Sequence, residues 1–178
     1  MIDPFNITKF DRTQAELEEL LLFCICVAGK PAVQQAEKLE SFLFAATTIG
    51  TMTPFGWINH LNKLGEWIKP HPLRKCLEVH RMGQYNRIQS AFTEVAKITN
   101  LSTVNLSELE NIHGIGPKTA RFFLVCSRPN QQLAVLDTHI LKYLRSHGID
   151  APKATPTKKK YAELEKVFLD MAKKSGKT

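Results

Sequence analysis

Residues 107–126 read SELENIHGIGPKTARFFLVC, and this stretch decides the fold. Ser107, with Glu110 three residues on, forms a capping-box pattern that opens a helix of one to two turns. His113-Gly114-Ile115-Gly116 then predicts a tight turn, because glycine accepts positive φ and lets the backbone approach a neighbour closely. Pro117 suits the first position of a second helix, which runs through Phe122, Phe123, Leu124 and Val125. The amides of the turn and of that helix's first residues lack intrahelical acceptors, and the helix dipole adds positive potential there. Such a site suits a phosphate and grips a nucleic-acid backbone without reading its bases. Taken alone, the motif also fits an ordinary helical corner in which the glycines only shape the turn.

Helical patterning continues in both directions. Thr13 and Glu16 form another capping box ahead of an apolar stretch from Leu17 to Val27, which predicts a central buried helix. A second helix is expected from about Ala32, a third from Thr53-Pro54, and a fourth after Pro70 and Pro72. A longer one starts at Tyr85 and places Ile88, Phe92, Val95 and Ile98 at helical spacing. Beyond the hairpin, Asp137 is a good N-cap for a helix from Thr138 to Arg145, and Thr157 caps a last one carrying Tyr161, Leu164, Val167, Phe168 and Met171. Leu133 to Leu136 is the one short stretch with strand character, and it has no partner. The expected class is all-α.

Of the 178 residues, 43% are hydrophobic and 23% charged, which fits a globular domain and excludes wholesale disorder. The formal charge is +7, and residues 151–178 hold eight lysines against three acids. A basic excess of this kind suggests a polyanionic partner without identifying it, and a solvated basic face gives the same figure. Met1-Ile2-Asp3-Pro4 lacks the basic start of a secretory signal. The apolar run from Leu20 to Gly29 is about half of what a membrane span requires. Cys24, Cys26, Cys76 and Cys126 have no metal-ligand spacing and read as free thiols of an intracellular protein. His60, His71, His80, His113 and His147 are scattered and build no metal site. Trp57 and Tyr85 are expected in the core rather than as stacking platforms for bases.

Two residues sharpen the chemistry of the hairpin. Lys118 is the second residue of its helix, close to the positive end of the dipole, which disfavours the ammonium and favours reaction as the neutral amine. Asp137 follows at a helix N-cap, where free amides favour its carboxylate. An amine nucleophile and a fixed carboxylate are what an oxocarbenium-like reaction at a sugar carbon needs. A phosphate-binding lysine and a purely structural cap are the alternatives for each residue taken singly.

Ile112-His113-Gly114-Ile115-Gly116-Pro117-Lys118-Thr119-Ala120, followed by Val135-Leu136-Asp137-Thr138-His139, resembles the helix-hairpin-helix DNA glycosylases of the endonuclease III superfamily. Gly83-Gln84-Tyr85-Asn86-Arg87 is similar to a Gly-x-Tyr-Asn segment that the superfamily carries before its hairpin. Phe23-Cys24-Ile25-Cys26, Leu136-Asp137-Thr138-His139-Ile140-Leu141 and Thr157-Lys158-Lys159-Lys160-Tyr161-Ala162-Glu163 resemble the small 8-oxoguanine DNA glycosylases of archaeal type. The resemblance implies two helical lobes with the hairpin at the cleft between them: segments 1–30 and 137–178 form one lobe, and 31–136 the other. It implies excision of an oxidised base, 8-oxoguanine first, with strand nicking by β-elimination. An oxidised pyrimidine or a mismatched base as the target, or a non-catalytic DNA-binding module, are the other readings. Lys118 would form the Schiff base and Asp137 would support charge on the sugar. His113, Gly114, Ile115, Gly116, Thr119, Arg121, Arg87 and Lys30 would face DNA, and His139 would pack behind the site or meet a phosphate.

The implied partner is duplex DNA bearing a damaged base, met by a monomer, with no membrane association. No cofactor is implied. The superfamily's iron–sulfur motif is missing, since no Cys follows Asp137, and a monovalent cation on the hairpin carbonyls is the one ion the resemblance allows. Lys30 or Gly29 stands where many members carry a gap-filling Gln. Relatives continue past the last helix with a short segment near the base pocket, whereas this sequence stops at Gly176-Lys177-Thr178, so part of the pocket is expected to be missing or built differently.

Overall fold

The computed structural model describes residues 2–50 and 52–176; Lys177 and Thr178 of the terminal segment lie outside them. Among the described residues the regular structure is helical throughout: α1 Gln14–Cys26, α2 Ala32–Ile49, α3 Pro54–Leu64, α4 Pro72–Val79, α5 Tyr85–Val95, α6 Leu106–Glu110, α7 Pro117–Ser127, α8 Thr138–Ser146 and α9 Lys158–Lys174. No helix of the described residues is long and apolar enough to cross a membrane.

The expected caps organise most of these helices. At α1, Glu16 N–H donates to Thr13 Oγ1 while the Glu16 carboxylate accepts Thr13 N–H at 2.7 Å. Thr53, Asp137 and Thr157 accept first-turn amides of α3, α8 and α9. The box expected at Ser107 and Glu110 forms two residues earlier, from Asn105 and Glu108. Asn105 accepts Glu108 N–H at 2.9 Å and Glu108 accepts Asn105 N–H at 2.7 Å. Asparagine is as good an N-cap as serine, and the shift frees Glu110 for a different role. The helix opened at Tyr85 ends at Val95, so Ile98 packs on the core from beyond it. Residues 133–136 belong to no helix and pair with no strand.

Helix α1 is the hub. Leu20, Leu21, Leu22, Ile25 and Cys26 have no exposed surface, and the helix packs against α2, α3, α5 and α7. Each fully buried Leu or Ile side chain contributes about 1.5–3 kcal/mol of transfer free energy. Glu18, 5% exposed, turns one acid of this helix inward, where it accepts Phe55 N–H at 2.9 Å and anchors the positive end of α3. The buried apolar residues form two cores. The larger runs from Ile2 to Cys126, and the smaller holds Ala134, Leu136, Leu141, Leu144, Ala151, Tyr161 and Leu164. α1 packs with the middle helices, because its second half is apolar nearly all round and needs neighbours on several sides. The chain's start follows it: Lys9 N–H and Arg12 Nη1 both donate to the Cys126 carbonyl at the end of α7. All four cysteines are free thiols.

Candidate active site

The hairpin turn is held from outside by Arg87 of α5. Its Nη1 donates to the Gly114 carbonyl at 2.9 Å, its Nη2 to the Ile25 carbonyl at 2.8 Å, and its Nε to Gln84 Oε1 at 2.7 Å. One guanidinium thus joins the end of α1, the start of α5 and the turn. Its planar fork, expected to face DNA, is engaged by backbone carbonyls, and a permanent cation already covers one hairpin carbonyl. Lys30 is turned inward in the same way, onto the Met82 carbonyl, and burial pushes its pKa down.

The two hairpin glycines do different work. Gly114 has φ +93°, and a Cβ there would lie 2.9 Å from the Arg87 carbonyl oxygen and 3.1 Å from Ala91 Cβ. Gly116 has φ −92° and open space around its missing side chain, so the positive φ expected there is absent. Ile115 buries its side chain in the core and spends its amide on the Ile112 carbonyl, leaving it no N–H for a ligand. The amides of Gly116, Lys118 and Thr119 donate to no group among the described residues, and all lie at the N-terminus of α7. Gly114→Ala should therefore lower stability by about 1–3 kcal/mol, read as a drop in thermal midpoint. Gly116→Ala should leave the midpoint unchanged within error, since nothing lies within 4 Å of where its Cβ would stand.

Lys118 and Asp137 meet at one cavity of about 170 Å³. Its walls are Cys24, Val27 and Ala28 from α1 and the loop after it, Lys118, Thr119 and Phe122 from α7, and Val135 with Asp137 from the segment before α8. Apolar atoms dominate this lining, and the amine and carboxylate are its ionisable groups apart from the Cys24 thiol, whose pKa burial pushes up. Asp137 uses Oδ1 to accept Ile140 N–H at 2.8 Å, which fixes its rotamer, and its second oxygen has no partner among the described residues. Lys118 and Asp137 form no ion pair with each other, so each keeps its charge or lone pair for a third molecule. Thr119, 7% exposed, lines the cavity instead of facing outward.

Arg121 is the clearest departure from expectation. It is 5% exposed and ion-paired, Nε to Glu165 at 2.7 Å and Nη1 to Glu110, with its guanidinium 4.5 Å from the centroid of the Tyr161 ring. A residue so enclosed makes no phosphate contact. Lys158 also meets Glu110, donating to its backbone carbonyl at 2.8 Å, and Lys160 meets Asp150 at 3.2 Å, which ties down part of the basic terminal segment. His139 is exposed on the first turn of α8, which removes the packing role considered for it. His113 is exposed and shares a hydrogen bond with Ser90 Oγ. Trp57 is buried, and Tyr85 packs beneath Arg74, whose guanidinium is 5.0 Å from the ring centroid. Sequence reasoning missed the cavity walls Cys24, Val27 and Phe122, because a wall residue of an apolar pocket carries the same periodic signal as a core residue.

The fold matches solved structures of an archaeal enzyme. Methanocaldococcus jannaschii 8-oxoguanine DNA glycosylase superposes with a TM-score of 0.64 at 20% identity, covering 97% of this chain and 77% of that one. The structure of the M. jannaschii 8-oxoguanine glycosylase/lyase in complex with a 15mer DNA containing 8-oxoguanine gives 0.61 at 23% identity, covering 92% and 75%. Residues 1–177 match the Ogg-HhH family, described as 8-oxoguanine DNA glycosylase. With that match spanning nearly the whole sequence, the chain belongs to the Ogg-HhH family of 8-oxoguanine DNA glycosylases.

Proposed function

We propose that this glycosylase removes 8-oxoguanine from duplex DNA with Lys118 as nucleophile and Asp137 as the electrostatic partner, and that it nicks the strand by β-elimination. The observation that carries this reading is the shared cavity: an amine and a carboxylate, unpaired with each other, on opposite elements of one mostly apolar pocket. The damaged nucleotide leaves the helical stack, at a cost of a few kcal/mol, so that its sugar lies between them. As the bond from C1′ to the base nitrogen stretches, positive charge grows on the sugar and the Asp137 carboxylate stabilises it. The Lys118 amine donates its lone pair to C1′, and the departing base keeps the bonding pair and takes up a proton. Loss of the amine proton and opening of the sugar ring give the Schiff base. Removal of a C2′ proton then expels the 3′-phosphate and nicks the strand.

The free amides of Gly116, Lys118 and Thr119 and the helix dipole behind them support a flanking phosphate in this complex. That partner also agrees with the damaged duplex seen bound to the M. jannaschii relative. A panel of duplexes, each with one damaged or mismatched base, tests the assignment under single-turnover conditions. The 8-oxoguanine duplex should release free base and yield a nicked strand, with release at least about tenfold faster than for an oxidised pyrimidine or a mismatch, one decade being about 1.4 kcal/mol of barrier. Salt-sensitive binding with no base released from any duplex would overturn it in favour of a backbone-binding module.

A further inference from the structure

We propose that Tyr161 and Glu165 of α9, locked onto Arg121 of α7, are positioning residues that set Asp137 against Lys118. This rests on the reading of that pair as the reacting groups. Lys118 belongs to a helix of the larger core, whereas Asp137 follows a segment buried in the smaller one. Residues 133–136 reach Asp137 without strand pairing, so the backbone there needs other partners. Three hydrogen bonds supply them. Tyr161 Oη accepts Leu136 N–H at 2.7 Å and donates to the Ala134 carbonyl at 3.0 Å, while Glu165 Oε1 accepts Ala134 N–H at 2.8 Å.

The same two side chains reach the hairpin. Arg121 Nε donates to Glu165 Oε1 at 2.7 Å, its guanidinium lies over the Tyr161 ring, and its Nη1 donates to the Pro117 carbonyl at 3.2 Å. Glu110 of α6 accepts from Arg121, and Lys158 of α9 donates to the Glu110 carbonyl. A continuous chain of bonds therefore runs from Pro117, covalently joined to Lys118, to Leu136, covalently joined to Asp137. Burial pushes the Tyr161 phenol up to about 12, so near neutral pH it keeps the proton it donates to Ala134. A buried ion pair adds little net stability compared with apolar packing, since desolvation offsets most of its attraction. What it supplies here is geometry. Arg121 and Glu165 each have one place to sit, and rates at such sites fall steeply when reacting groups move by about 1 Å.

Tyr161→Phe is the test, because it deletes the hydroxyl and keeps the ring beneath Arg121. Three quantities are read on wild type and variant: single-turnover base release at saturating 8-oxoguanine duplex, the Kd for a duplex with a tetrahydrofuran abasic analogue, and the thermal midpoint. Base release should fall between about 10- and 100-fold in the folded enzyme, with Kd unchanged within about twofold. Glu165→Gln, which keeps an acceptor for Ala134 N–H but loses the charge facing Arg121, should fall between wild type and Tyr161→Phe. Wild-type release in both variants, or a fall no larger than the lost folded fraction, would overturn the proposal. Failure of the wild-type enzyme itself to release base would instead overturn the assignment of Lys118 and Asp137.

Discussion

Lys118→Gln is expected to abolish the borohydride-trapped covalent adduct and to lower strand nicking by at least about 10³-fold, the scale on which removing a nucleophile acts. Glutamine keeps most of the side-chain length and a good helix propensity, so α7 should be preserved. The residue sits in the first turn, half-buried against the cavity and outside every ion pair of the described residues. Nothing in the packing depends on its charge. What disappears is the amine proposed to form the bond to C1′. Duplex affinity should change little, because the free amides at the head of α7 remain in place. A trapped adduct that persists in this variant would remove Lys118 from the mechanism.

Asp137→Asn should slow base release by about 10²–10³-fold, with the fold intact. Asparagine caps a helix as well as aspartate does, so the bond to Ile140 N–H survives and α8 starts where it did. The substitution thus separates the observed cap from the proposed electrostatic role of the carboxylate. Asp137→Ala removes both and should cost a further 0.5–2 kcal/mol or so in stability. Single-turnover release and the thermal midpoint, measured side by side, distinguish the pair. Wild-type release by Asp137→Asn would reduce this residue to a cap.

Much of this architecture is legible in the sequence because it is local. Thr13 with Glu16, Thr53 with Pro54, and Thr157 each announce a helix start within four residues, and each helix starts there. Lys118 and Asp137 are legible for the same reason, since their places at helix N-termini are set by their immediate neighbours. The fate of the arginines is not. Arg121 meets Glu165 across 44 positions of sequence, and Arg87 meets Gly114 across 27. Charge alone reads both as surface contacts. Only tertiary packing shows them turned inward to hold the hairpin and its neighbours.

Glycine repeats the lesson at shorter range. Gly114 and Gly116 are alike as letters, yet one is demanded by φ and by Arg87, and the other leaves room beside free amides. The basic excess divides likewise: Lys158 and Lys160 are held by Glu110 and Asp150, while Lys159 and Lys166 remain exposed on α9.

The most direct measurement is mass mapping of the enzyme after borohydride reduction in the presence of an 8-oxoguanine duplex. One molecule of free 8-oxoguanine should appear per adduct, and the deoxyribose remnant should sit on the peptide carrying Lys118. Base release with the remnant on another amine, or with no adduct at all, would contradict the account.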